Sequence, residues 1–373
     1  MSKITFVRNK KNFFILLSFL AFLFLTLMLL RNNAYITEYI FAQGICLYLT
    51  KAVSCVFGVF GFSVAEVFIV LAPFFLIAGA VIFVKRLIKA PFKNRFLLNS
   101  LIVILSVSFF AADSFFLLWG MNYNRNSLET ILDIPIVYYS ADELFETGMA
   151  ITKRLNEISE YVSRNEDGLY FIENAKEKLE RADEGYNVLY EKSRLSIFEG
   201  GYSAPKPVFF SEALSYTFIS GIYIPFTGEA NVNMAFGNLL LLSSACHEMG
   251  HQRGVAFEDE ANYMAFISCV NNPDLDYQYS GYVLGLFNIS NDLYKYDERL
   301  YNILMQSLDE KIIDDINEYQ RIVEKYRSPI KDVSNKINDT YLRTMGQEGV
   351  LSYSRVVNFI VCDYIKNGGF ERN

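Results

Sequence analysis

Cys246-His247-Glu248-Met249-Gly250-His251-Gln252-Arg253-Gly254, followed closely by Phe257-Glu258-Asp259-Glu260-Ala261-Asn262-Tyr263-Met264-Ala265, holds both histidines of this 373-residue chain. They stand four apart, with a glutamate directly after the first, which is the H-E-x-x-H zinc pattern. On a helix, residues i and i+4 lie one above the other on the same face, so the His247 and His251 rings can reach one ion. Glu248 lies about 100° round the helix from His247, at the edge of that face, where it can touch a water on the metal without ligating it.

Catalytic zinc takes three protein ligands and keeps one position open. No third histidine exists, so the missing ligand is a carboxylate or a thiolate, and three acids follow within nine residues of His251. Gly254 is placed to end the first helix. A second helix is expected from near Phe257 to the stop at Asn271-Asn272-Pro273. On it Glu258, Ala261, Asn262, Ala265 and Cys269 share one face of mostly small residues, which lets two helices approach closely. Glu260 points about 160° away from Glu258. These positions favour Glu258 as third ligand, with Glu260 as the alternative, and set Asn262 one turn on to hydrogen-bond a ligand.

Glu258-Asp259-Glu260-Ala261-Asn262 resembles the E-x-x-A-D element that follows H-E-x-x-H in the gluzincin metallopeptidases, notably the CAAX prenyl endopeptidase type. Carried over by position, Glu258 is the metal ligand and Asn262 its supporting neighbour. The longer run Ser220-Gly221-Ile222-Tyr223-Ile224-Pro225-Phe226-Thr227-Gly228-Glu229-Ala230-Asn231-Val232-Asn233, together with His247 to Asn262, resembles a family of bacterial membrane proteins catalogued as domain of unknown function 3810 and grouped with the zincin-type peptidases. The likeness runs from Trp119 onward and includes Tyr341-Leu342-Arg343. It implies a zincin-like fold and a metal site, and names no substrate. Zincin-like proteins also keep an edge strand beside the metal helix on which a substrate backbone can pair. The resemblance assigns that role to the Gly221–Asn233 region, which an ordinary strand and turn would also explain.

The composition adds a membrane part. Hydrophobic residues make up 52% of the chain, high for a soluble protein, and the net charge of −7 argues against a nucleic-acid partner. The five cysteines, at 46, 55, 246, 269 and 362, lack the paired spacing of a disulfide or zinc framework and read as packing residues, with Cys246 worth watching beside His247. Lys3, Arg8, Lys10 and Lys11 precede an uncharged run at 13–30, read as an uncleaved first span. Residues 34–62, broken by Glu38, Gln43, Gly44 and Lys51, read as an amphipathic or re-entrant segment at the outer surface, with a full span as the alternative. Further spans are expected at 63–84, with a kink at Pro73, and at 97–119, with Trp119 at the interface.

The basic start and the basic loop of Lys85, Arg86, Lys89, Lys93 and Arg95 should both be cytoplasmic, which requires an even number of crossings between them. The third span then exports the rest. The expected fold class is α+β, mostly helical, with three N-terminal transmembrane helices in a membrane region 1–120 and an extracytoplasmic zincin-like domain at 121–373. Residues 141–196 read as a helical hairpin, 208–210 and 222–226 as short strands with another at Val232 to Met234, 236–252 as the metal helix, and 280–370 as mostly helical.

The expected activity is zinc-dependent hydrolysis of a peptide or other amide bond at the outer side of the cytoplasmic membrane. His247, His251 and Glu258 hold the zinc, Glu248 is the general base, and one of Tyr223, Tyr282, Tyr341 or Arg343 supplies the oxyanion donor. Partners are the lipid bilayer and a peptide or protein substrate. The rival is a zinc-binding membrane scaffold or sensor without turnover, for which Glu248 is unnecessary.

Overall fold

The computed structural model describes the backbone of residues 2–345 and 355–370, with side chains from residue 12 onward. The basic side chains Lys3, Arg8, Lys10 and Lys11 therefore lie outside the described residues. The chain divides into two compact units, one of residues 1–49 and 64–125, the other of residues 50–63 and 126–373.

In the first unit α1 (Ser2–Leu30) packs on α4 (Lys93–Leu118) through edge-on aromatic contacts of Phe24 with Phe109 and Phe116, at 5.6 and 6.1 Å between centroids. Between them come a π-helical stretch, Ile36–Ile45, that runs straight into α2 (Cys46–Gly58), and then α3 (Val64–Lys89), which carries Pro73 without interruption. Among the described residues four helical stretches are long and apolar enough to cross a membrane: Asn12–Leu30, Ile36–Gly58, Val64–Lys89 and Lys93–Leu118. They associate the chain with a membrane.

Ile36–Gly58 is the addition to the three expected stretches, and the reason is pairing. Glu38, which breaks the apolar run in the sequence, is buried against Arg125, Oε1 to Nη2 at 2.9 Å, and also accepts from Gln43. A buried charge is tolerable when paired and hydrogen-bonded, and this partner lies 87 residues away. The second half of the stretch folds with the other unit: Lys51 pairs with Glu199 at 3.1 Å, and Ser54 bonds Ser203.

The second unit is mostly helical around one core. Its α5 (Ala141–Ser159) opens with a capping box, Ser140 accepting from the Glu143 N–H while the Glu143 carboxylate accepts from the Ser140 N–H, and buries Leu144, Ile151, Leu155 and Ile158 on one face. The hairpin expected over 141–196 has only this one long arm. The chain then passes through an irregular stretch closed by an Arg164–Tyr170 bridge, a short helix at Ala175–Glu180, and α6 (Glu184–Ser193).

A three-stranded sheet of order β1-β3-β2 follows, with β1 (Lys206–Pro207) parallel and β2 (Gly221–Ile224) antiparallel to β3 (Glu229–Val232). The strand expected at 208–210 is displaced upstream to β1, and Phe209 and Phe210 lie beyond it in exposed positions. Next come α7 (Leu241–Gln252) and α8 (Glu258–Val270), then α9 (Leu275–Tyr296), α10 (Glu298–Gln306), α11 (Glu310–Lys325), α12 (Pro329–Thr344) and α13 (Val356–Asn367). The first of these starts five residues later than the 236–252 expectation, because Gly237 takes a left-handed backbone with φ of +81° that an α-helix excludes.

Candidate metal centre

α7 ends as its sequence requires. Gly254 adopts φ of +83°, and the Val255 N–H returns to the Gly250 carbonyl, so the chain turns back within three residues to begin α8. Small residues then set the spacing of the two helices. A methyl group on Gly250 would meet Met264 Cβ at 3.4 Å and Ala261 Cα at 3.8 Å, ordinary contact distances, so the backbones are already close. The Tyr186 ring fills the space beneath, its hydroxyl donating to the Cys246 carbonyl at 2.7 Å and its face covered by the Arg253 guanidinium at 3.9 Å.

This hairpin brings His247, His251 and Glu258 together, with one donor atom from each within 4.8 Å of the others. Glu258 Oε2 lies 3.2 Å from His247 Nε2, and Oε1 lies 3.7 Å from His251 Nε2. The opposite nitrogen of each ring is engaged. His247 Nδ1 meets Asn262 Oδ1 at 2.9 Å, and His251 Nδ1 meets the Val255 carbonyl at 2.7 Å. With Nδ1 held by an oxygen, each ring turns its Nε2 toward Glu258, the aim that a metal-ligating histidine needs. The donor set of two imidazoles and one carboxylate fits a divalent ion such as zinc.

The charges fit that reading as well. Burial pushes the His251 cation down, but the Glu258 carboxylate more than reverses this and raises His251 to about 9. Burial likewise disfavours the Glu258 anion, and the two histidines outweigh it and hold the carboxyl well below the usual range. His251 and Glu258 thus face each other as an ion pair at the place where a divalent cation would be held.

Glu260 is directed elsewhere, its Oε1 accepting from the Leu128 N–H at 2.7 Å. Cys246 is buried with its Sγ toward the Ala182 carbonyl at 3.9 Å and does not join the triad.

Glu248 occupies a position that helix geometry alone does not reveal. It is buried, and burial raises its carboxyl above the ordinary value, against the pull of both histidines and of the Tyr223 N–H. That N–H belongs to β2. Residues 222 and 224 face β3, so the Tyr223 backbone points out of the sheet edge toward α7. The strand can come this near only because residue 221 lacks a side chain: a Cβ there would sit 2.6 Å from Glu248 Oε1 and 2.7 Å from its Cγ. The run Gly221-Ile222-Tyr223 is thus a seat for the Glu248 carboxylate, and it is the part of the site that spacing could not supply.

The match over residues 41–361 covers most of the chain and is to the family described as a protein of unknown function, DUF3810. The chain belongs to this family. No curated protein and no solved structure matches this DUF3810 chain.

Of the side chains expected to compete as oxyanion donor, Tyr282 of the DUF3810 chain lies in the core against Phe266 and Phe370, and Arg343 is tied to Asp339 at 2.7 Å on α12. Tyr341 lies on the same helix, exposed. Tyr223 alone sits on a strand that touches Glu248.

Gln252 was not anticipated. One residue past His251, its Nε2 donates to the Gly228 carbonyl at 2.8 Å, to Ser54 Oγ at 3.1 Å and to the Ser203 carbonyl at 3.2 Å, joining the end of α7 to the β2–β3 turn and to residues 50–63. Nothing in the sequence sets it apart from an ordinary polar residue at a helix end.

Proposed function

We propose that this chain is a membrane-anchored zinc hydrolase of the gluzincin type, cleaving a peptide or other amide bond on the outer side of the cytoplasmic membrane. The observation that carries the reading is the seat of Glu248 beside the triad: a purely structural ion has no use for an acid walled in by a glycine and an edge-strand N–H. His247, His251 and Glu258 would hold the ion. A zinc ion there supplies Lewis-acid polarisation of a carbonyl and the acidification of water.

The chain's own groups do the proton work. Glu248 takes a proton from the attacking water and passes it to the leaving amine. The Tyr223 N–H and the space at Gly221 fix the direction of its carboxylate. Asn262 and the Val255 carbonyl hold the Nδ1 side of each imidazole and so aim its Nε2.

The outward orientation is supported by two features. Residues 50–63 bond the folded domain, so α3 leaves from the domain's side and carries the chain to the basic loop of Lys85, Arg86, Lys89, Lys93 and Arg95. A basic loop belongs in the cytoplasm, which puts the domain on the other side. The Ile36–Gly58 stretch then enters and returns on the outer side.

The deciding measurement is zinc content of the purified full chain, combined with cellular peptide profiles of parent and Glu248→Gln. About one zinc per chain, lost in Glu258→Ala and kept in Glu260→Ala, together with cleavage products absent in Glu248→Gln, is the expected outcome. Zinc that stays bound while Glu248→Gln leaves every product unchanged would make the protein a zinc scaffold or sensor. A Tyr161→Cys label in a Cys55→Ser background, at an exposed site of the domain, should react with an impermeant maleimide on intact cells; protection there would reverse the orientation.

A further inference from the structure

Residues 50–63 hold the end of the Ile36–Gly58 stretch and the turn into α3, two helical stretches long and apolar enough to enter a membrane, yet they fold as part of the second unit. Side-chain bonds from Lys206 and Gln252 help to hold them there, beside the Lys51–Glu199 and Ser54–Ser203 pairs. Lys206 Nζ, buried, donates to the carbonyls of Phe57 at 2.7 Å and Phe62 at 3.1 Å while pairing with Glu229 at 2.6 Å. Gln252 reaches Ser54, and Gly228, at φ of +62°, approaches the Ser54 backbone so closely that a Cβ would stand 2.8 Å from its nitrogen. A further Cβ at Gly58 would stand 2.8 Å from Ser203 Cβ. The segment is thus built into the sheet at β1 and at the β2–β3 turn.

Around these attachments the chain exposes large apolar side chains and few charges. Residues 52–65, 207–211 and 213–228 contain no Asp, Glu, Lys, Arg or His. Val59 is 78% exposed, Phe209 83% and Phe226 49%, and Phe60, Phe62 and Phe210 are exposed with them. Phe209 and Phe210 follow β1 by two and three residues, and Phe226 is the tip of the β2–β3 turn, where the Thr227 and Gly228 N–H groups both return to the Ile224 carbonyl. Apolar side chains gathered this way mark a contact surface.

We propose that this end of the second unit rests in the bilayer, with Phe226 and the Phe209–Phe210 pair inserted among lipid at the interface. The occupant is lipid because the attached segment continues at both ends into membrane-entering helices, so Val59 to Phe62 cannot leave the membrane boundary and the residues bonded to them cannot either. Phenylalanine at the headgroup boundary gains from burial of its ring while the neighbouring backbone stays hydrated. The surface stands whether or not the site hydrolyses anything. If the hydrolase reading also holds, β2 runs from Glu248 to the lipid surface, and the chain presented to Glu248 arrives along the membrane.

The parent has a single tryptophan, Trp119, which makes depth measurable. Phe226→Trp, Phe209→Trp, Val59→Trp and Tyr161→Trp, each in a full-length Trp119→Phe background reconstituted in vesicles containing brominated phosphatidylcholine, report their own distance from lipid. Should that background not fold, the same variants are read by difference against Trp119 of the parent. Phe226→Trp and Phe209→Trp are expected to follow Val59→Trp, with emission quenched at least twofold by brominated lipid and shielded from aqueous acrylamide. Tyr161→Trp should show the reverse. If either Phe226→Trp or Phe209→Trp follows Tyr161→Trp instead, the surface does not sit in lipid and the proposal is overturned. The readout involves neither zinc nor turnover.

Discussion

The triad and the seat of its neighbouring acid are built in opposite ways. His247, His251 and Glu258 lie within twelve residues on one helical hairpin, whereas Glu248 is walled in by Gly221 and Tyr223 from a strand more than twenty residues upstream. The first arrangement follows from helix period and one glycine turn. The second depends on where the small sheet packs. The placement of the triad can therefore survive damage to the sheet, and the seat of Glu248 cannot.

That contrast is open to direct attack, beginning with the largest effect. Glu258→Ala should abolish zinc binding in the purified chain, because two imidazoles alone leave the ion without its charged ligand. Glu260→Ala should keep the metal and lose about 1–3 kcal/mol of stability through the orphaned Leu128 N–H, read as a lower melting temperature. Zinc lost in both variants equally would erase the distinction between the two acids.

Gly221→Ala comes next. The added methyl meets Glu248 and must displace either the carboxylate or β2, so turnover of whatever cellular product depends on Glu248 should fall tenfold or more, about 1.4 kcal/mol of barrier for each factor of ten, while zinc content stays unchanged. A fall in zinc alongside activity would mean that the strand supports the ligands too. Asn262→Ala removes the oxygen that orients His247 and should weaken zinc affinity about 10–100-fold, measured by competition with a chelator.

Gln252→Leu removes the amide that donates from the end of α7 to Gly228, Ser54 and Ser203, and leaves the Gly228 carbonyl without that donor. About 1–3 kcal/mol of stability should be lost, with zinc stoichiometry intact. Gly250→Ala should matter least. Its methyl reaches Met264 and Ala261 at van der Waals distances, and replacing a mid-helix glycine recovers roughly 0.5–1 kcal/mol of backbone entropy, so the melting temperature should stay level or rise slightly.

Much of the helical architecture was legible in the sequence. The α7–α8 turn, the long helical arm of α5 and three of the four apolar stretches announce themselves through period, a glycine stop and composition. The departure in the apolar stretches has its cause in distant partners. Glu38 and Lys51 look like interruptions of an apolar run until Arg125 and Glu199 are found opposite them, 87 and 148 residues along the chain. The expected strand at 208–210 failed because its apolar residues are turned outward, and alternation in so short a run does not say which side is inside.

From the residues alone came the two histidines at helical spacing, Glu248 beside them, the choice of Glu258 over Glu260 by angle, and Asn262 one turn on. These are local consequences of 3.6 residues per turn and of a glycine that can reverse the chain. Tertiary structure alone supplied the rest: Gly221 and the Tyr223 N–H against Glu248, Gln252 tying the end of the metal helix to residues 50–63, and Lys206 fastening that segment to the sheet. Those contacts join positions whose separation along the chain carries no period, and only packing decides which of them meet.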